Sequence, residues 1–189
     1  KVEIEKPGIP DLGVGTVKVK GVQINLYDPP AKVEGIRLNI GCGTDIKKGF
    51  LNVDKYSPKA DALWDIVNIP LNNDSVAQII CYDVLEHLSM KNFVVALEEC
   101  FRVLKPGGNF VCTTPDVVSY CKNIVDHPED EYAITRLYGN QSHEGQFHKN
   151  GFTPKSLFKY LGNAGFKTIS TAYFDLCPGV TNIYCEAVK

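Results

Sequence analysis

Gly41-Cys42-Gly43, Asp54 and Asp65 stand at or just past the ends of three successive apolar runs, 36–40, 50–53 and 62–66. Glycines closing a strand let a ligand approach the backbone more closely than a Cβ would permit. A carboxylate closing the next strand is placed to accept hydrogen bonds from both hydroxyls of a ribose. This group therefore suits an adenosine-type ligand. A second group suits proton transfer: His87, Asp116, His143 and His148. A histidine titrates near neutrality and can take the proton of an acceptor hydroxyl. His148 is the first candidate for that base, with His143 and Asp116 behind it; His87 either faces the substrate or makes a structural hydrogen bond. A divalent ion on His143 and His148 with Asp116 or Glu144 is the competing use of this loop. The spacing of the two histidines is not that of an i,i+4 pair on one helix face, and no metal is assigned.

The elements that must position these groups follow from periodicity. Strands are predicted over 36–40, 50–53, 62–66, 77–82, 108–114, 167–174 and 181–187, and helices over 90–104 and 154–164. Lys105-Pro106-Gly107-Gly108 ends the first helix, and Thr153-Pro154 starts the second as N-cap and first turn. Near-continuous apolar strands alternating with helices imply a mostly parallel sheet covered on both faces. No helix separates the last two strands, so they must pair as an antiparallel hairpin. Residues 1–35 differ: 16–19 and 22–26 alternate around Lys20-Gly21, a β-hairpin arm that would serve as a lid, a homodimer contact or a patch on the sheet edge. Residues 116–153 are read as a substrate-side insertion.

Composition narrows the partners. The chain has 189 residues, one domain's worth, and a formal net charge of −2, which offers no basic field for nucleic acid. No apolar run approaches the roughly 20 residues of a membrane helix, and no secretory signal is seen. Seven cysteines without a C-x-x-C pair read as reduced thiols in a cytoplasmic protein. The chain opens on Lys1 rather than Met, as a truncated chain would.

Leu38-Asn39-Ile40-Gly41-Cys42-Gly43, Asn52-Val53-Asp54, Asp83-Val84-Leu85-Glu86-His87-Leu88 and Phe101 to Gly108, taken in that order, resemble the class I S-adenosylmethionine-dependent methyltransferases, and within them the small type 11 group. The resemblance covers about 36–189. It implies a Rossmann-like, doubly wound, seven-stranded sheet and S-adenosylmethionine as cofactor. It also implies roles. The backbone near Asn39, Gly41, Cys42 and Gly43 holds the amino-acid end, Asp54 and Lys55 sit at the ribose, Asp65 meets the adenine amino group and Ile66 packs on the ring. Cys81 and Tyr82 stand beside the methyl donor. Only eleven positions separate Gly43 from Asp54, short for a full crossover. The expected activity is methylation of a small metabolite, first of all O-methylation of a sugar or glycan precursor. N- or C-methylation of another metabolite or a protein side chain, and a non-catalytic cofactor-binding module, stay open.

Overall fold

The computed structural model describes residues 33–129, 131–177 and 179–189, together with strands β1 (Thr16–Val19) and β2 (Val22–Asn25). These two strands pair antiparallel, Val17 opposite Ile24, as a two-stranded sheet of their own. The expected lid or dimer role of the arm lies outside the described residues.

The other seven strands form one sheet: β3 (Ile36–Ile40), β4 (Leu51–Asp54), β5 (Ala62–Leu63), β6 (Val76–Tyr82), β7 (Leu104–Pro115), β8 (Lys167–Cys177) and β9 (Val180–Val188), in the order β5-β4-β3-β6-β7-β9-β8. All neighbours are parallel except at β9, which runs antiparallel to both β7 and β8. This is the expected seven-stranded methyltransferase-type sheet with its closing hairpin. The chain leaves β3 for one side and β6 for the other, so the strand order reverses between them. In open α/β sheets, ligands bind at the carboxyl ends of the strands flanking such a point.

The β3–β4 connection contains no helix. A parallel pair normally needs a dozen or more residues to cross over, and here side-chain amides replace the missing turns. Asn39 Nδ2 donates to Asn52 Oδ1 (2.9 Å) and to the Asp45 carbonyl (2.7 Å), both amides being buried. Asn52 Oδ1 also accepts from Lys47 N, while its Nδ2 donates to the Lys47 and Phe50 carbonyls.

Helices α1 (Met90–Val103), α2 (Val117–Asp126), α3 (Glu131–Tyr138) and α4 (Pro154–Asn163) complete the domain. Ser89 caps α1, and Thr153 with Ser156 forms a capping box on α4. Phe93, Leu97, Leu157 and Leu161 from α1 and α4 bury against Leu38, Ile79 and Phe110 of the sheet in the main core. A smaller cluster of Ile80, Val111, Ala172 and Tyr184 sits apart, with Phe50, Tyr82 and Phe174 packed on it. The step from α1 into β7 loops out Lys105–Gly108: Leu104 pairs with Val76, then Asn109 pairs with Gln78. Helices α2 and α3 lie within the expected insertion, and the loop after α3 makes up much of the rest. Among the described residues no helix is long and apolar enough to cross a membrane.

Candidate active site

A cavity of about 470 Å³ opens at the carboxyl ends of β3 and β4, bordered by Gly41, Gly43, Asp54, Lys55, Asp65 and Ile66, with Tyr56 and Trp64 beside them. Gly41 has φ +68°, and a Cβ there would lie 2.2 Å from Val84 Cγ2; a Cβ on Gly43 would meet nothing within 4 Å. The turn is therefore closed on one side by Val84 and open on the other to a guest. Asp54 ties it down: Oδ2 accepts Gly43 N (2.9 Å), and Oδ1 accepts Tyr56 N (2.7 Å) and Ser57 N (2.8 Å). A carboxylate offers about four lone-pair sites, so one remains for a ligand. Across the cavity Asp65 Oδ1 accepts Val67 N (3.2 Å), and Oδ2 pairs with Lys55 Nζ at 2.8 Å.

Four residues expected at the cofactor lie away from this cavity's wall. Asn39 is spent under the turn, as above. Cys42 is buried, and burial followed by the nearby Asp54 and Asp61 charges pushes its thiol up to about 11. Cys81 points into the main core, wholly buried. Tyr82 packs on the smaller cluster with Lys47 Nζ 5.6 Å from its ring centre. Successive residues of a strand face opposite sides, which sends Cys81 to the main core and Tyr82 to the smaller cluster.

A second cavity, about 400 Å³, adjoins the first. It is lined by Glu86, His148, Tyr120, Arg136, Asn140 and Asn182, and the two share Asp83, His87 and Gln146. Asp83 has φ +52° and accepts the Thr113 hydroxyl (3.1 Å) and Asn182 Nδ2 (3.0 Å) on Oδ1. It is open to solvent at this junction. Desolvation by the surrounding protein raises its carboxyl above the ordinary value, with the Thr113 hydroxyl and the Arg136 charge pulling the other way. Glu86 is buried and accepts the Thr114 hydroxyl (3.1 Å). Burial, with Asp83 adding to it, pushes the Glu86 carboxyl well up.

The loop after α3 is held to the short helical turn Leu85–His87. The Glu86 carbonyl accepts Lys149 N (2.7 Å) and Asn150 N (3.0 Å), His87 Nδ1 donates to the Phe147 carbonyl (3.2 Å), and Asn150 Nδ2 donates to the Leu88 carbonyl (2.6 Å). These bonds bring the His148 ring within 4.9 Å of the His87 ring, centre to centre. Burial and the neighbouring His87 lower His148 to about 4, and burial lowers His87 as well, so both rings are neutral at pH 7.

The remaining expected residues take different places. His143 is exposed at the mouth of the first cavity, its Nδ1 accepting Gly145 N (3.1 Å) and its ring 5.6 Å from that of Tyr56. Asp116 is the N-cap of α2, both carboxylate oxygens taken by Val118 N and Ser119 N (3.3 Å each). Asp83, Arg136, Gln146 and Asn182 were not singled out from the sequence. Of these only Asp83 carried a signal, three residues before Glu86 in the Asp-Val-Leu-Glu-His run.

Residues 37–112 match the family described as a methyltransferase domain. A probable S-adenosylmethionine-dependent methyltransferase of Mycolicibacterium smegmatis is 29% identical over 108 residues, covering 57% of this chain and 35% of that protein. The chain thus spans about a third of that relative's length. Among solved structures, an S-adenosylmethionine-dependent methyltransferase from Archaeoglobus fulgidus superposes with a TM-score of 0.61 at 16% identity, covering 82% of this chain and 86% of the other. The Burkholderia thailandensis 1,6-didemethyltoxoflavin-N1-methyltransferase, solved with bound 1,6-didemethyltoxoflavin and S-adenosylhomocysteine, gives 0.57 at 13% identity, covering 82% and 70%.

Proposed function

We propose that this chain is a class I S-adenosylmethionine-dependent methyltransferase and that it methylates a hydroxyl of a small hydroxylated metabolite such as a sugar or glycan precursor. The observation that carries this reading is the meeting of two cavities at Asp83, His87 and Gln146. One has the glycine turn and two strand-end carboxylates; the other has the paired histidines.

S-adenosylmethionine, when bound, supplies a methyl carbon activated by its sulfonium. What supports this cofactor in the first cavity is a turn open at Gly43 with the Asp54 and Asp65 carboxylates on the same wall. Asp54 uses its remaining lone pair on the ribose, and Asp65 takes the adenine amino group. Lys55, paired with Asp65, holds that carboxylate in place. The second cavity takes the acceptor, and its volume suits a small molecule rather than a polymer segment. Arg136, Asn140, Gln146 and Asn182 offer hydrogen bonds matched to hydroxyls. His87 and His148, both neutral, handle the acceptor hydroxyl and its proton, either directly or through an ion they share. Alignment supplies much of the rate in such a displacement. The buried thiols suit a reducing compartment, and we place the protein in the cytoplasm.

Calorimetry with S-adenosylhomocysteine and turnover of labelled S-adenosylmethionine over a panel of sugars and other metabolites test the reading. Saturable binding and label transfer to a hydroxylated compound are expected. Absence of binding refutes the cofactor assignment, and label found only on nitrogen or carbon refutes the acceptor chemistry.

A further inference from the structure

We propose that Glu86, His87 and His148 form a divalent transition-metal site at the floor of the acceptor cavity, and that the acceptor reaches the ion through adjacent oxygens. This rests on the methyltransferase reading and deepens it. One donor atom from each residue falls within 4.8 Å of the other two. Two imidazole nitrogens and one carboxylate form a mixed donor set that suits first-row divalent ions and leaves open positions for exogenous oxygens.

Three further observations fit an ion here. First, Glu86 is a wholly buried carboxylate whose side-chain partner is the neutral hydroxyl of Thr114, and Asp83 adds a second carboxylate nearby. A carboxylate held this deep is stable in its charged form only beside a cation. Arg136 lies on the same cavity and interacts with Asp83, while a cation between Glu86 and the imidazoles would answer Glu86 itself. Second, His87 Nδ1 donates to the Phe147 carbonyl, so Nε2 carries the lone pair and the ring is fixed by an outer hydrogen bond. That is the usual support for a metal-binding histidine. Third, all three residues line the second cavity, so the open positions face the acceptor rather than the protein interior.

The chemistry follows. A hydroxyl held by a divalent cation is more acidic than a free one. Its proton leaves to water in the cavity, its oxygen forms the new carbon–oxygen bond, and the methyl–sulfur bond breaks with its electron pair staying on sulfur. A neighbouring oxygen of the acceptor fills a second position, so vicinal diols and hydroxy acids should be favoured over isolated alcohols. The competing reading from the sequence paired His143 with His148; the pair that converges is His87 with His148.

The test uses tag-free, chelator-stripped protein titrated with Mn2+ and followed by electron paramagnetic resonance, with S-adenosylhomocysteine binding measured on the same samples. One Mn2+ per chain is expected. H87A and H148A should each weaken it by more than about tenfold, E86Q should remove it, and H127A, on the exposed end of α2, should keep wild-type affinity. If E86Q does not fold, the two histidine variants decide. Absence of ion binding, unchanged affinity in H148A, or an equal loss in H127A overturns the proposal. If S-adenosylhomocysteine still binds in those cases, the metal site alone has failed; if it does not bind, the methyltransferase reading has failed.

Discussion

The glycine-turn cavity and the histidine cavity share a wall yet are built on opposite terms. Around the first, the charged groups are already answered. Asp54 holds three backbone N–H groups, and Asp65 holds one together with Lys55. Around the second, Glu86 is buried with a hydroxyl partner, and His87 and His148 are kept neutral by burial. Satisfied hydrogen bonds make a rigid receptor. Under-compensated buried donors store the capacity to bind a cation or move a proton. On the proposed function, the first half recognises and the second reacts.

That division can be broken by substitution. The largest effect should come from Asp54→Ala, which removes the acceptor of three backbone bonds and one cavity wall. Hydrogen bonds to a charged group are worth about 1.5–3 kcal/mol each, so S-adenosylhomocysteine affinity should fall by about a hundredfold or more in calorimetry. An unchanged affinity would remove Asp54 from the receptor half.

Gly41→Ala should come next, since its Cβ would collide with stiff Val84 at a positive φ. A loss of about 1–3 kcal/mol in chemical unfolding is expected, together with weaker cofactor binding. Wild-type stability would show that Val84 can move aside.

Gly139→Ala probes the other half. Its Cβ would lie 2.0 Å from the Gln146 carbonyl oxygen, at φ +78°, and so would displace the loop carrying His148. Turnover should drop by about tenfold or more, the scale of a misplaced catalytic group, while cofactor affinity stays within about twofold. Parallel losses in both would mean that the two cavities are not separable.

Stability should also depend on pH. In the ion-free protein His148 titrates near 4 in the folded state, against about 6.5 in the unfolded chain. Between these values the unfolded chain takes up a proton that the folded chain refuses. Stability should therefore fall as pH drops from about 6.5 towards 4, and level off below. Urea midpoints should show this, and H148A should flatten the slope. A ring titration near 6.5 by NMR would contradict it.

Much of the receptor half was legible in the sequence. The glycine turn, the strand-end aspartates and the short reach from Gly43 to Asp54 were all seen, although the short reach did not reveal that Asn39 and Asn52 wire it. The reacting half was less legible. Asp116 looked like a base and proves to be a helix cap. The signal was there, since an aspartate followed by Val117, Val118, Tyr120 and Ile124 is ordinary helix-start grammar. Cys81 and Tyr82 were placed together at the donor, although strand alternation sends them to opposite faces.

What the sequence determined by itself is the sheet, its caps and turns and the receptor's carboxylates, because backbone geometry fixes these within a few residues of chain. What only the tertiary structure decided is which titratable groups meet. Glu86 and His87 reach His148 because a loop sixty residues away returns to bond the carbonyl of Glu86 and the ring of His87. Such a meeting depends on α2, α3 and the sheet packing together, and no local pattern of residues encodes it.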